Sequence, residues 1–147
     1  MSKNTRQKQR IWLIIAFIIL GYAASKYSPE QTTVSSSSPS QLEQIFEQRQ
    51  SNIQLEITGN VIKLLADNLD GRRHQKFIVK TAGGQTILVA HNIDLAPRID
   101  ALKTGDDVTL YGEYEWNKKG GVMHWTHHDP ANRHIGGWIK HQGNTYQ

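Results

Sequence analysis

Four of the seven histidines fall within eleven residues, in His124-Trp125-Thr126-His127-His128-Asp129-Pro130 and at His134. Imidazole titrates near neutral pH and is the commonest metal ligand. Asp129 adds an oxygen donor, and Trp125 and Trp138 offer flat surfaces for a ligand. Two other segments carry reactive groups. Asp70-Gly71-Arg72-Arg73-His74-Gln75-Lys76 is either a solvated hairpin end or an anion site. In His91-Asn92-Ile93-Asp94-Leu95-Ala96-Pro97, Asp94 either caps a helix or faces the C-terminal histidines, with His91, across a barrel mouth.

The elements that must hold these groups are mainly β. Ser40-Gln41-Leu42-Glu43 matches a capping box and predicts a short amphipathic helix to about Gln50. From Asn52 the period changes to two. A strand from Ile53 to Leu65 is bent at Gly59, a second runs from His74 to Lys80, and Gly83-Gly84 turns into a third over Thr86–Ala90. A short helix with Pro97 near its start fills the connection to a fourth strand, Val108–Trp116. Asn117-Lys118-Lys119-Gly120-Gly121 leads to a fifth, Val122–His127. Three strands, a helical connection and two more strands fit a small five-stranded OB-like Greek-key barrel.

A five-residue loop over 117–121 pairs Tyr114 with His124 across the last hairpin. That places His124 on the core face with Val108, Leu110 and Tyr114, because cross-strand partners share a face. Tyr111, Glu113, Glu115, Trp125 and His127 then fall on the outer face. His124 and His128 are ~13 Å apart along a strand, too far for ligands each ~2 Å from one ion. A divalent metal, zinc or manganese, would therefore need His127 or His128 plus groups from elsewhere, such as His74, His91, Asp94, Asp129 or His134. A hydrolase would use His91, His127, His128 and Asp129 as ligands, with Asp94 or Glu113 as base. A ligand would use Tyr111, Trp125, His127 and Trp138.

Residues 1–26 hold five Lys and Arg and no acid, whereas residues 27–147 hold twelve against thirteen Asp and Glu. The body lacks the basic excess of a phosphate-backbone binder, which disfavours nucleic acid as a partner. The chain has no cysteine, excluding disulfides and thiolate chemistry. Residues 1–10 are a basic cytoplasmic flank. In 11–27, Ile11, Trp12, Leu13, Ile14, Ile15, Phe17, Ile18, Ile19 and Leu20 form an apolar helix. It is either an uncleaved signal-anchor in the inner membrane, single-pass with the N-terminus inside, or a signal peptide whose removal releases the domain to the periplasm. Residues 28–39 are a Ser/Pro-rich linker, 40–51 the short helix, and 52–147 the barrel with its His/Trp tail.

At Arg73-His74-Gln75-Lys76-Phe77, His91 to Pro97, Gly112-Glu113-Tyr114-Glu115-Trp116-Asn117, His124 to Pro130, Gly137-Trp138-Ile139 and Tyr146-Gln147, the chain resembles an uncharacterised bacterial family, domain of unknown function 3465. The resemblance covers about residues 53–147. It implies an OB-like domain behind a short hydrophobic segment and brings no activity. A weaker similarity is to staphylococcal-type nucleases, whose acids have counterparts in Asp67, Asp70 and Asp94. The spacing to Pro97 is one residue too long, and their glutamate and arginines have no secure counterparts here. That likeness is one of fold only.

Three functions remain open. One is a membrane-tethered binding module of the envelope for a small ligand, saccharide, peptide or envelope protein. The second is a metal-dependent hydrolase of phosphodiester or related bonds. The third is a structural envelope protein in which the histidines tie the tail to the barrel.

Overall fold

Ser40 opens α1 (Gln41–Glu47) as the capping box predicts. The Glu43 N–H donates to Ser40 Oγ (3.2 Å), and the Ser40 N–H donates to Glu43 Oε2 (2.6 Å). Leu42 and Ile45 bury one face of the helix in the core. Arg49, with φ 54, turns the chain away just before the expected end. This computed structural model describes residues 40–147. The basic flank, the apolar segment and the linker lie outside the described residues. Among the described residues no helix is long and apolar enough to cross a membrane.

Seven strands follow: β1 (Ile53–Leu64), β2 (His74–Thr81), β3 (Thr86–Asn92), β4 (Asp107–Glu115), β5 (Val122–His124), β6 (Trp138–His141) and β7 (Asn144–Tyr146). The order β1-β2-β3-β5-β4 closes on itself through β1–β4 pairing. Only β3 and β5 run parallel among these pairs, so the five strands make the closed mixed barrel expected. Alternation along β4 sends Val108, Leu110 and Tyr114 into the core, where they meet Leu55, Ile57, Phe77, Val89 and Met123. Gly59 is where β1 passes from β4 to β2. A Cβ there would collide with the Lys80 carbonyl, so only glycine permits the close crossing.

The helix expected between the third and fourth strands does not form; residues 93–106 are turns. Asn92 Oδ1 accepts the Asp94 N–H (2.9 Å), and the Ala96 N–H reaches the Asn92 carbonyl (3.2 Å). That single turn stops because Pro97 disfavours helical geometry at Ala96. The segment instead plugs the barrel with Ile99 and Leu102, both buried. Gln75 fixes the plug, donating to the Ile99 carbonyl (3.0 Å) and accepting its N–H (2.9 Å).

The last hairpin also differs, by one residue. Glu113 pairs with His124 and Tyr114 with Met123, so Met123 enters the core and His124 faces outward. A one-residue slip inverts every side chain of a strand. Its cause is local. The Tyr114 ring lies against Gly121, where a Cβ would overlap it, and its hydroxyl donates to the Gly120 carbonyl (3.0 Å). Gly120 and Gly121 have φ 113 and 97, which admits a longer loop than a five-residue turn. β5 then ends at His124 rather than His127, because Trp125 adopts φ 52.

The tail makes a hairpin that alternation did not reveal. β6 and β7 join through Gln142 and Gly143, both at positive φ (48 and 78), as a tight two-residue turn requires. One edge of β4 therefore lies along β1, while the other is shared by β6 at 108–111 and β5 at 113–115. Where β5 hands over to β6, residues 125–137 loop outward.

Candidate functional site

Asp129 organises that outward loop. Its carboxylate accepts the N–H groups of Ala131 (3.0 Å), Arg133 (2.8 Å) and His134 (2.9 Å). The Ala131 and Arg133 hydrogen bonds hold its pKa below the usual carboxylate range, so it is ionised at neutral pH. The Gly137 N–H donates to the His127 carbonyl (2.9 Å) and closes the loop's base.

His134 returns from the loop onto the barrel. Its ring stacks on Trp125 with centroids 4.0 Å apart and planes 5° from parallel. Nδ1 meets the Ile135 carbonyl (2.8 Å) and Nε2 meets Glu113 Oε2 (2.7 Å). Both partners are acceptors, so both ring nitrogens donate and the ring is an imidazolium. Burial alone would lower its pKa, but the Ile135 carbonyl and the Glu113 carboxylate outweigh burial and raise it.

His91 is the opposite case. It is fully buried, and burial pushes its pKa down to about 4. Nε2 donates to the Pro97 carbonyl (3.2 Å), so Nδ1 accepts from the Thr126 hydroxyl (2.9 Å). This neutral ring locks the 93–97 turn to the base of the outward loop. Neither nitrogen is free for a metal.

Between the loop and the ends of β2 and β3 lies a cleft of about 590 Å³, lined in part by Arg72, His74, Leu95, Trp125, His127 and Arg133. Two of its histidines are tied to backbone carbonyls through Nδ1. His74 Nδ1 donates to the Arg72 carbonyl (2.8 Å), and His127 Nδ1 donates to the His128 carbonyl (2.8 Å). Neither Nε2 has a hydrogen-bond partner among the described residues. The cleft's acids are engaged by the protein itself. Asp94 accepts the Arg73 N–H (2.7 Å) and Arg73 Nε (2.6 Å), which lower its pKa. Asp129 holds its loop. The guanidinium groups of Arg72 and Arg133 make no hydrogen bond or ion pair among the described residues.

The structure divides the residues expected to act together. Trp125 and His127 line the cleft, whereas Tyr111 stacks on Trp138 (5.8 Å, 29°) across β4 and β6, beneath Lys140 Nζ at 4.2 Å. Of the expected metal set, His91 is locked in the core and Asp129 is taken by backbone N–H groups. His127 lines the cleft but is itself buried, and His128 is exposed. Asp94 is at the cleft, while Glu113 lies on β4 beside His134. Asp67 pairs with Arg98 (2.9 Å) and Asp94 with Arg73, so the nuclease-like acids are not assembled either.

Among the described residues, the group of three whose donor atoms all lie within 4.8 Å of one another is Glu113, Glu115 and His124. The alternation Glu113-Tyr114-Glu115 announces the two acids on one face of β4, but His124 joins them only through the shifted register. Arg133 carries no sequence signal of its own; the Asp129 hydrogen bonds bring it to the cleft.

A comparison with curated proteins finds no match. One family model, described as a protein of unknown function (DUF3465), matches residues 26–147 and so takes in the whole barrel, the outward loop and the cleft; the chain belongs to that family.

Proposed function

We propose that this chain is an exported, membrane-tethered binding module whose barrel-mouth cleft takes a small anionic ligand, a sugar acid or sugar phosphate. One observation carries the reading. The cleft's two carboxylates are held by protein donors, while the guanidinium groups of Arg72 and Arg133, which line it, make no hydrogen bond or ion pair among the described residues. Arginine binds carboxylate and phosphate through paired, charge-assisted hydrogen bonds. The exposed Leu95 and the Trp125 ring add apolar surface for the ligand's body. The balanced charge of residues 27–147 favours a small anion over a long polyanion. Of the two bases the sequence offers a hydrolase, Asp94 is held by Arg73 and Glu113 by His134. The tether rests on the apolar run 11–20 behind four basic residues, which by charge remain cytoplasmic.

Calorimetric titration of the full-length chain in detergent, with glucose 6-phosphate, glucuronate and glucose, tests the ligand class. At least one of the two anions should bind and glucose should not. The Arg72→Ala/Arg133→Ala double variant should weaken anion binding at least about tenfold. Binding unchanged in that variant, or no heat with either anion at millimolar concentration, would refute the reading. A C-terminal alkaline phosphatase fusion tests export, and an inactive reporter would overturn that part.

A further inference from the structure

The geometry points to a zinc-type divalent-cation site on the outer face of the barrel, formed by Glu113 and Glu115 of β4 and His124 of β5. Their donor atoms lie within 4.8 Å of one another. Ligands ~2.0–2.2 Å from one ion sit about 3.4 Å apart in tetrahedral geometry. Side-chain movements of about an ångström at most would complete such a site, well within rotamer adjustment.

A second observation falls on the same spot. His124 Nε2 is sealed from solvent and has no hydrogen-bond partner, although Glu113 Oε1 is 3.3 Å away. Gln54 is Glu113's partner on β1, as His124 is on β5, and both of its amide atoms are likewise sealed and unpartnered. Polar atoms in that state are rare in folded proteins and call for a partner such as an ion or water. Here two such groups flank one carboxylate, in a row across three strands.

The carboxylate at the centre is oriented as metal ligands commonly are. His134 Nε2 donates to Glu113 Oε2 and is itself held by the Trp125 stack and the Ile135 carbonyl. That leaves Glu113 Oε1 turned toward His124. Ligating carboxylates are typically fixed by such outer hydrogen bonds, so His134 is a positioning residue. Two carboxylates and an imidazole, with no thiolate, suit zinc, and the fourth position falls to water. The site adjoins the cleft, since His124 lines both, but it does not depend on what the cleft binds.

The test uses the full-length chain, stripped with chelator and titrated with Zn²⁺ by calorimetry and with Co²⁺ by visible absorption. One ion per chain is expected. Glu115→Gln and His124→Asn should each weaken binding at least about tenfold, and His134→Gln by about 10–100-fold. His128→Ala should leave it unchanged. Glu115 is half-exposed, so its variant removes a donor with least disturbance of the fold. The inference is overturned if Zn²⁺ does not bind stoichiometrically at micromolar concentration. It is equally overturned if Glu115→Gln, folded by circular dichroism, binds as tightly as the parent.

Discussion

Acid should destabilise this barrel through His91, and the size of the effect follows from its burial. The folded ring has a pKa of about 4, against about 6.5 in an unfolded chain. Because the folded value is the lower one, the unfolded chain takes up the proton first. The neutral ring's contribution is complete above about pH 6.5 and is lost as pH falls toward 4. Linkage between those two values gives a loss of about 2.4 kcal/mol between pH 7 and pH 4.5. Domains of this size are stable by only about 5–15 kcal/mol, so the loss is readily measured. Asp94, Asp106 and Asp129 have lowered pKa values and also withdraw stability as pH falls.

The perturbation that isolates His91 is therefore a comparison with His91→Gln. Glutamine can donate to the Pro97 carbonyl and accept from Thr126 but has no proton to gain. Urea denaturation at half-unit steps from pH 7 to 4.5 gives both stability curves. The parent should converge on the variant by about 2.4 kcal/mol over that window. Parallel curves, or an NMR titration placing the His91 pKa at 6 or above, would refute the reasoning.

Gly121→Ala should destabilise the domain by at least about 2 kcal/mol, because the methyl group strikes the Tyr114 ring at a φ that L-residues avoid; the urea midpoint reads this. Ser40→Ala removes the acceptor for the Glu43 N–H and should cost about 1 kcal/mol, with faster hydrogen exchange confined to α1 as its mark. Asp129→Ala should free residues 130–136 from three hydrogen bonds and open them to limited proteolysis, leaving β1–β3 protected. Uncut loops in that variant would show that Asp129 does not hold them.

The barrel was legible because the residues that build it signal locally. Val108, Leu110 and Tyr114 alternate without interruption, Gly59 marks the bend, and Ser40 and Glu43 announce their own cap. The site was less legible because its placement depends on contacts between distant residues. His124 and Met123 compete for one core position opposite Tyr114, and the Tyr114–Gly121 contact, which no periodicity encodes, decides for Met123. Trp125 has a left-handed backbone that its type does not advertise, so β5 ends earlier than alternation suggests. The Gln142-Gly143 turn lacks the Asn-Gly form that usually reveals a hairpin, and its strands are only four and three residues long. The expected helix failed where Asp94, the candidate cap, found Arg73 instead.

The β1–β4 seam sets a clock for this chain as it is made. Ile53 must wait for Tyr114, and Asn60 for Asp107, before the barrel can close. At ordinary synthesis rates that delay is about 2–12 s, far longer than the ~1–10 μs a hairpin takes. The β2–β3 hairpin can form promptly, but Leu55 and Ile57 have no strand to cover them until β4 emerges. During that interval the nascent chain displays an apolar strand with a bare edge, which is open to wrong pairing with any other extended segment. Productive folding of this chain therefore depends on keeping residues 53–57 from mispairing during the delay, as well as on the stability of the finished barrel.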